Sequence, residues 1–407
     1  MSRAAKGAWI LFAATCIQLT FLKPYLKLVP GDRTNLFSAL LCFLTLAAAL
    51  SLKKKDAVNF RSPEFLISLA LVALAGLSPY FSLTPLPSSF RVFALVASAA
   101  GGFWCARILL ATPENQRLFV RLCLFLLVGL LLICISGYLV SRDIDFFFQA
   151  GNTHMHQDMI YLLSFAPLTL LWDRSRRWRL LGIILLGLSY LTLCLSDRVS
   201  VIFIPLVALI LGGLFSAWRW KYVLLILVLM AVVAGFFRQQ IWWAKLSPAY
   251  PTYRIENFPF SLSIARQHPL FGIGLRSPRD QFLEGYQVKY PYTEKKEFAK
   301  IVAYIVTADN IFLTLLTGLG LPFTLLYGAA VIILMAKLLG LAFRPPPGLG
   351  LRPLALLFPL AMALAHFQLY DGLLFVQNSW FFHILLGLIP LGAGVRLGEA
   401  ALQPAQV

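Results

Sequence analysis

The chain has 407 residues, of which 59% are hydrophobic and only 13% charged. An ordinary soluble domain carries about 25% charged residues, so a string of soluble domains is excluded. The net charge of +18 would suit a nucleic-acid binder, but much of it falls in short loops between apolar runs, where it signals topology and attracts anionic lipid.

Apolar runs near the spanning length recur from end to end. A hydrocarbon core about 30 Å thick needs about 20 apolar residues in helix, and backbone groups in lipid must pair within their own segment. The first run follows a short basic start, Arg3 and Lys6, in the manner of a signal peptide. No small-residue cleavage pattern follows, so it is read as a retained helix. The runs predict spans at 8–22, 35–51, 65–83, 92–111, 118–140, 159–172, 180–196, 199–217, 222–237, 310–343, 353–370 and 379–395. The span at 159–172 is short and is expected to start earlier, near Gln157. The run from 310 is too long for a simple crossing. Gly318, Gly320 and Pro322 predict a break between a short leading half-helix and a membrane helix.

The result is an all-α polytopic membrane protein of about twelve helices. It has helices over 1–237, one large hydrophilic loop at 238–308, and further helices over 309–407. Lys and Arg in the short loops set the orientation. With the N-terminus inside, inner loops hold Lys53, Lys54, Lys55 and Arg61, then Arg107 and Arg117, then Arg174, Arg176, Arg177 and Arg179. Arg219, Lys221, Lys337, Arg344, Arg352 and Arg396 continue the set, while short outer loops carry less. The first outer loop, with Lys23, Lys27 and Arg33, is the exception. The 238–308 segment then lies outside. It holds ten Lys and Arg against five acids. Long loops escape the positive-inside rule, so this excess points either to an anionic ligand such as phosphate or to a solvated face.

Cys16, Cys42, Cys105, Cys123, Cys134 and Cys194 all fall within predicted helices and form no CxxC or Cys/His cluster, which argues against disulfides and zinc. His154 and His156 share one side of an extended loop, with Asp158 and Asp145 near. A weak metal site and a pair of polar loop residues are the two readings. No Walker loop, dinucleotide fingerprint or G-x-S-x-G is present, which disfavours an ATP-driven pump or a serine hydrolase. No internal repeat is visible, which weakens a secondary transporter.

Ionisable residues at membrane depth are candidates for function. Ser196-Asp197-Arg198 interrupts two apolar runs at the outer side. It reads either as a compensated pair in a helical hairpin or as an arginine aimed into an outer cavity, where its planar fork grips phosphate oxygens. Tyr253-Arg254 follows in the outer loop, and then FSLSIARQHPLFGIGL at 260–275. The spacing of Phe260, Leu262, Ile264 and Ala265 predicts a short surface helix that stops at His268-Pro269. Gly272 and Gly274 then give a tight turn. Asp309, just before IFLTLLTGLGLPF, reads either as the N-cap of that helix or as a functional carboxylate.

Taken in this order, the three segments resemble the O-antigen ligase and polymerase superfamily of bacterial envelope glycosyltransferases. Ser196 and Arg198 match the family's Ser-Arg pair, apart from the extra Asp197. Arg254 and His268-Pro269-Leu270-Phe271-Gly272-Ile273-Gly274 match an arginine followed by His-Pro-Leu-x-Gly-x-Gly, the most specific part of the resemblance. Ala308-Asp309-Asn310-Ile311-Phe312-Leu313, with Gly318-Leu319-Gly320 after it, matches Ala-His-Asn-x-x-Leu and a glycine break except at Asp309. The likeness covers about residues 185–345 and is only topological elsewhere.

The resemblance implies a GT-C-like, metal-independent glycosyltransferase without cofactors, in the bacterial inner membrane with its site facing the periplasm. The implied donor is a glycan on undecaprenyl diphosphate, held by Arg198 and Arg254; Arg266 and Arg276 are secondary candidates. Fixed guanidinium groups stabilise the charge that develops on a diphosphate leaving group without any nucleotide. Asp309 takes the place of the family's histidine as general base, with His154, His156 and His268 as alternatives. The implied acceptor is the lipid A core for a ligase, or a growing glycan for a polymerase. The basic outer loop favours the ligase. Besides membrane lipids, no partner such as nucleic acid is implied. A transporter or flippase of a lipid-linked anionic substrate would use the same arginines and need no base.

Overall fold

A computed structural model describes residues 2–22, 31–52, 62–82, 85–141, 155–173, 175–195, 261–275, 310–343, 351–368 and 372–390. The described residues are helical, with no strand among them. Helix α1 is Arg3–Ile17, prolonged by a π turn at Gln18–Leu22. Helix α2 is Gly31–Leu50, and α3 is Pro63–Leu77 with a 3-10 turn at Ser78–Phe81. Next come α4, Pro85–Leu109, and α5, Pro113–Ser141. Helices α6, Met155–Leu163, and α7, Phe165–Leu170, are nearly continuous and lead to α8, Arg176–Cys194. After a short helix at 261–267 come α9, Ile311–Leu319, and α10, Leu321–Phe343. The last two are α11, Pro353–Phe367, and α12, Val376–Gly387.

Five of these helical stretches are long and apolar enough to cross a membrane: Arg3–Phe21, Pro63–Phe81, Ser88–Leu109, Pro113–Ser141 and Leu321–Phe343. Their outer faces are those of lipid-facing helices. Leu132, Leu325 and Ile332 are 61–67% exposed, a poor arrangement in water and a neutral one among acyl chains. The expected spans at 199–217 and 222–237 lie outside the described residues. The helix over the expected sixth span begins at Met155, close to the expected start near Gln157.

Helix α12 is the centre of the bundle, with every residue from Val376 to Gly387 buried. It lies against α4 at glycine contacts. A Cβ on Gly102 would stand 2.5 Å from the Trp380 carbonyl oxygen, and one on Gly387 would stand 2.6 Å from that of Phe103. Small residues are what let two helix backbones approach this closely where lipid supplies no hydrophobic drive. Trp380 and Phe12 of α1 have ring centroids 6.0 Å apart, which joins the first helix to the last. Helices α1 and α2 run antiparallel, joined by Thr15 to Thr45 at 2.8 Å and by Gln18 donating to Ser38 at 3.1 Å.

The expected break in the long run after residue 310 is present. Helix α9 ends at Leu319 and α10 begins at Leu321, with Gly320 between them at φ 87°. That backbone conformation is one that only glycine adopts freely.

Candidate functional site

The turn at 268–275 and the break at 317–321 form one interlocked unit. The 261–267 helix stops at His268, whose amide still donates to the Ile264 carbonyl at 2.9 Å. Pro269 cannot donate and ends the helix. Beyond it the chain folds over, with Gly272 at φ 64° and Gly274 at φ 97°. The Ile273 amide donates to Thr317 O at 2.8 Å, and the Gly274 amide donates to Gly318 O at 3.1 Å. In return, the Leu321 amide donates to Pro269 O at 2.8 Å. The glycines of one turn face the glycines of the other because the backbones touch.

The turn after α3 clamps this unit. The Ser78 hydroxyl lies 2.9 Å from both Phe271 O and Gly318 O, and Ser82 donates to Ile273 O at 3.0 Å. Ser88 at the start of α4 accepts from the Leu275 amide at 3.3 Å. Phe81 stacks on Phe271 with centroids 4.4 Å apart. The serines were not singled out in the sequence. Their signal was the pair Ser78-Pro79 and Ser88 flanking a Pro-rich stretch, but nothing local marks which backbone they reach.

The other end of α9 is held as well. Asn310 is its N-cap: the side-chain oxygen accepts from the Phe312 and Leu313 amides at 3.0 and 3.2 Å. The same side chain donates through Nδ2 to Gln368 Oε1 at 3.2 Å and to Gln368 O at 3.3 Å, at the C-terminus of α11. This corrects the reading of Asp309 as the cap, because the adjacent Asn310 already fills that position. Capping of α9 therefore does not account for Asp309. An Asn310→Ala variant is expected to lose about 1 kcal/mol from the lost cap, read as a lower thermal midpoint in detergent. Asn310→Asp keeps the accepting oxygen and so the cap, but gives up both donations to Gln368.

Beside Gln368 lies a buried polar cluster that sequence reasoning missed. Asp158 on α6 and His366 on α11 are both fully buried, with His366 Nδ1 2.5 Å from Asp158 Oδ1. Asn378 at the start of α12 donates to Asp158 Oδ2 at 2.6 Å. Tyr161, one helical turn from Asp158, meets the His366 ring edge-on. Deeper along α12, His383 Nδ1 is 2.7 Å from Ser379 O and Nε2 is 3.1 Å from the Tyr327 hydroxyl. A carbonyl oxygen only accepts, so Nδ1 carries the proton and Nε2 accepts from tyrosine. The detectable signal was His366, Asn378 and His383 standing in otherwise apolar runs, the same test that picked out Arg198.

His156 is corrected from a loop to a helix: it is the second residue of α6 and only 2% exposed. His268 is half-buried at the turn, and Arg266 is exposed on the preceding helix. Arg198, Arg254, Arg276, His154 and Asp309 lie outside the described residues. Among the described residues, no three His, Cys, Asp or Glu side chains form a group fit to hold a metal ion. Cys16, Cys42, Cys105, Cys123 and Cys134 are buried among the helices.

Neither a scan against protein-family models nor a search of curated proteins finds a match to this chain. Its function is therefore argued from its residues.

Proposed function

We infer that the chain is a membrane glycosyltransferase that moves a glycan from undecaprenyl diphosphate to an acceptor hydroxyl at the periplasmic face of a bacterial inner membrane, with O-antigen ligation as the leading assignment. One observation carries this reading. Two segments of the resemblance, HPLFGIG and the TGLG break, bond to each other through the Ile273, Gly274 and Leu321 amides. Segments more than forty residues apart in sequence thus make a single support, and Asp309 is the chain neighbour of the Asn310 cap that starts the same helix.

The chemistry follows from the residue types. The acceptor oxygen forms a bond to the anomeric carbon as the bond from that carbon to the diphosphate oxygen breaks. The electron pair leaves on the diphosphate, where Arg198 and Arg254 stabilise it. The acceptor proton passes to the Asp309 carboxylate. No nucleotide enters, because the diphosphate linkage already activates the sugar.

The test is product release. Purified full-length protein in liposomes, given lipid-diphosphate glycan and lipid A core, is expected to release undecaprenyl diphosphate and form glycosylated core. Release only with a second lipid-linked glycan as acceptor identifies a polymerase. Movement of the lipid-linked substrate between leaflets, without release under any acceptor, sinks the enzyme reading and leaves a transporter.

A further inference from the structure

We propose that Asp158, His366 and Gln368 are positioning residues for the reaction centre, locking the last turn of α11 against the N-terminus of α9. The reaction they serve rests on the reading above; the lock itself does not.

The lock is a chain of contacts through five side chains. Asp158 holds His366 at 2.5 Å, and Asn378 holds the other carboxylate oxygen at 2.6 Å, so the carboxylate is pinned from two helices. Gly372 closes the same carboxylate from a third side: a Cβ there would stand 2.8 Å from Asp158 Oδ2. Two residues after His366, Gln368 ends α11, its Nε2 donating to Leu364 O at 3.2 Å. Its Oε1 and its backbone carbonyl both accept from Asn310 Nδ2. Asn310 then caps α9 through its remaining oxygen. Gln368 and Asn310 each use both ends of the side-chain amide, so a shift at Asp158 reaches the start of α9 through His366 and the backbone that joins it to Gln368.

Stability does not explain such a cluster. A buried carboxylate and its partner are often matched or surpassed by well-packed apolar groups of similar volume. In a helical membrane protein, an intramembrane ionisable residue is a candidate for function by default. Positioning has a large return here, because small displacements of reacting groups cost rate steeply.

The experiment uses the full-length protein in liposomes with Asp158→Asn, Gln368→Leu and the double variant. Hydrogen exchange is followed at the Phe312 and Leu313 amides, which Asn310 caps, and at Ile332 to Leu338 of α10 as an internal reference. The lock predicts about fivefold or faster exchange at the start of α9 in each single variant, with non-additive effects in the double. The α10 reference stays unchanged. Exchange at α9 equal to that of the parent protein in both single variants, or rising equally in α10, overturns the lock. Gln368→Leu carries the test alone if Asp158→Asn does not insert, since Gln368 is only half-buried.

Transfer kinetics separate the two claims. The lock predicts about a tenfold or greater fall in kcat with donor KM within about twofold. Faster α9 exchange in the variants, with no transfer by the parent protein, keeps the lock and removes the glycosyltransferase reading. Transfer by the parent with unchanged kcat in both variants keeps that reading and removes the positioning role.

Discussion

Gly320→Ala is expected to cost about 3 kcal/mol or more, enough that the variant is recovered in poor yield or with a sharply lowered thermal midpoint. Two independent effects meet at this residue. Its φ of 87° and ψ of 173° lie in a region essentially closed to residues with a Cβ, where each such residue costs about 1–3 kcal/mol. The added Cβ would also stand 2.3 Å from Leu270 O, 2.5 Å from Leu270 C and 2.7 Å from Phe271 N. These are backbone atoms, so no rotamer change relieves the clash. Relief requires pulling the 268–275 turn away from the break, which gives up the Leu321-to-Pro269, Ile273-to-Thr317 and Gly274-to-Gly318 bonds together. Gly187→Ala supplies the contrast. It sits within α8 with nothing within 4 Å of its Cβ position, and alanine there is expected to be neutral or mildly stabilising through helix propensity. Equal thermal midpoints for the two variants would mean that the interlocked turns are not formed.

That contrast also shows what a sequence can and cannot disclose about this molecule. The break near Gly320 was legible because a run of over thirty apolar residues exceeds one crossing, and glycine with proline supplies the only local means of interrupting it. The turn at Gly272 and Gly274 was legible for the same local reason. That the two turns bind each other was not legible, since a backbone donor leaves no mark on residue identity. The same limit explains Asp309 and Asn310. Both residue types cap helices, and only the geometry of Asn310, accepting from Phe312 and Leu313, decides between them. The misplacement of His156 has a different origin. A two-residue spacing was read as extended chain, but the polar start of α6 is held inside the bundle, where His156 and Asp158 are both buried. Asp158, His366 and Asn378 come from three helices spread over 220 positions. Each looks like an isolated polar residue until the helices are packed.

Arg198→Ala and Arg254→Ala are each expected to lower kcat for transfer by about 100- to 1,000-fold, the range seen when one donor to a developing oxyanion is removed. The fall should appear in kcat more than in donor KM. The charge on the leaving diphosphate rises as the bond to the anomeric carbon breaks, and an interaction that strengthens in the transition state is lost mainly from the chemical step. Lysine at either position keeps the charge but not the two-pronged donor geometry, so Arg198→Lys and Arg254→Lys should recover only part of the loss. The measurement is single-turnover release of undecaprenyl diphosphate by protein that inserts normally, checked by its thermal midpoint. Arg266→Ala is the comparison within the 238–308 segment that also holds Arg254: its side chain is exposed on the 261–267 helix, so a loss there should be smaller and reduced further by salt. Should both alanine variants transfer at the parent rate, the diphosphate role fails. Should they bind donor less tightly while the parent protein releases no product, the arginines belong to a carrier of the lipid-linked glycan, and Asp309 has no proton to accept.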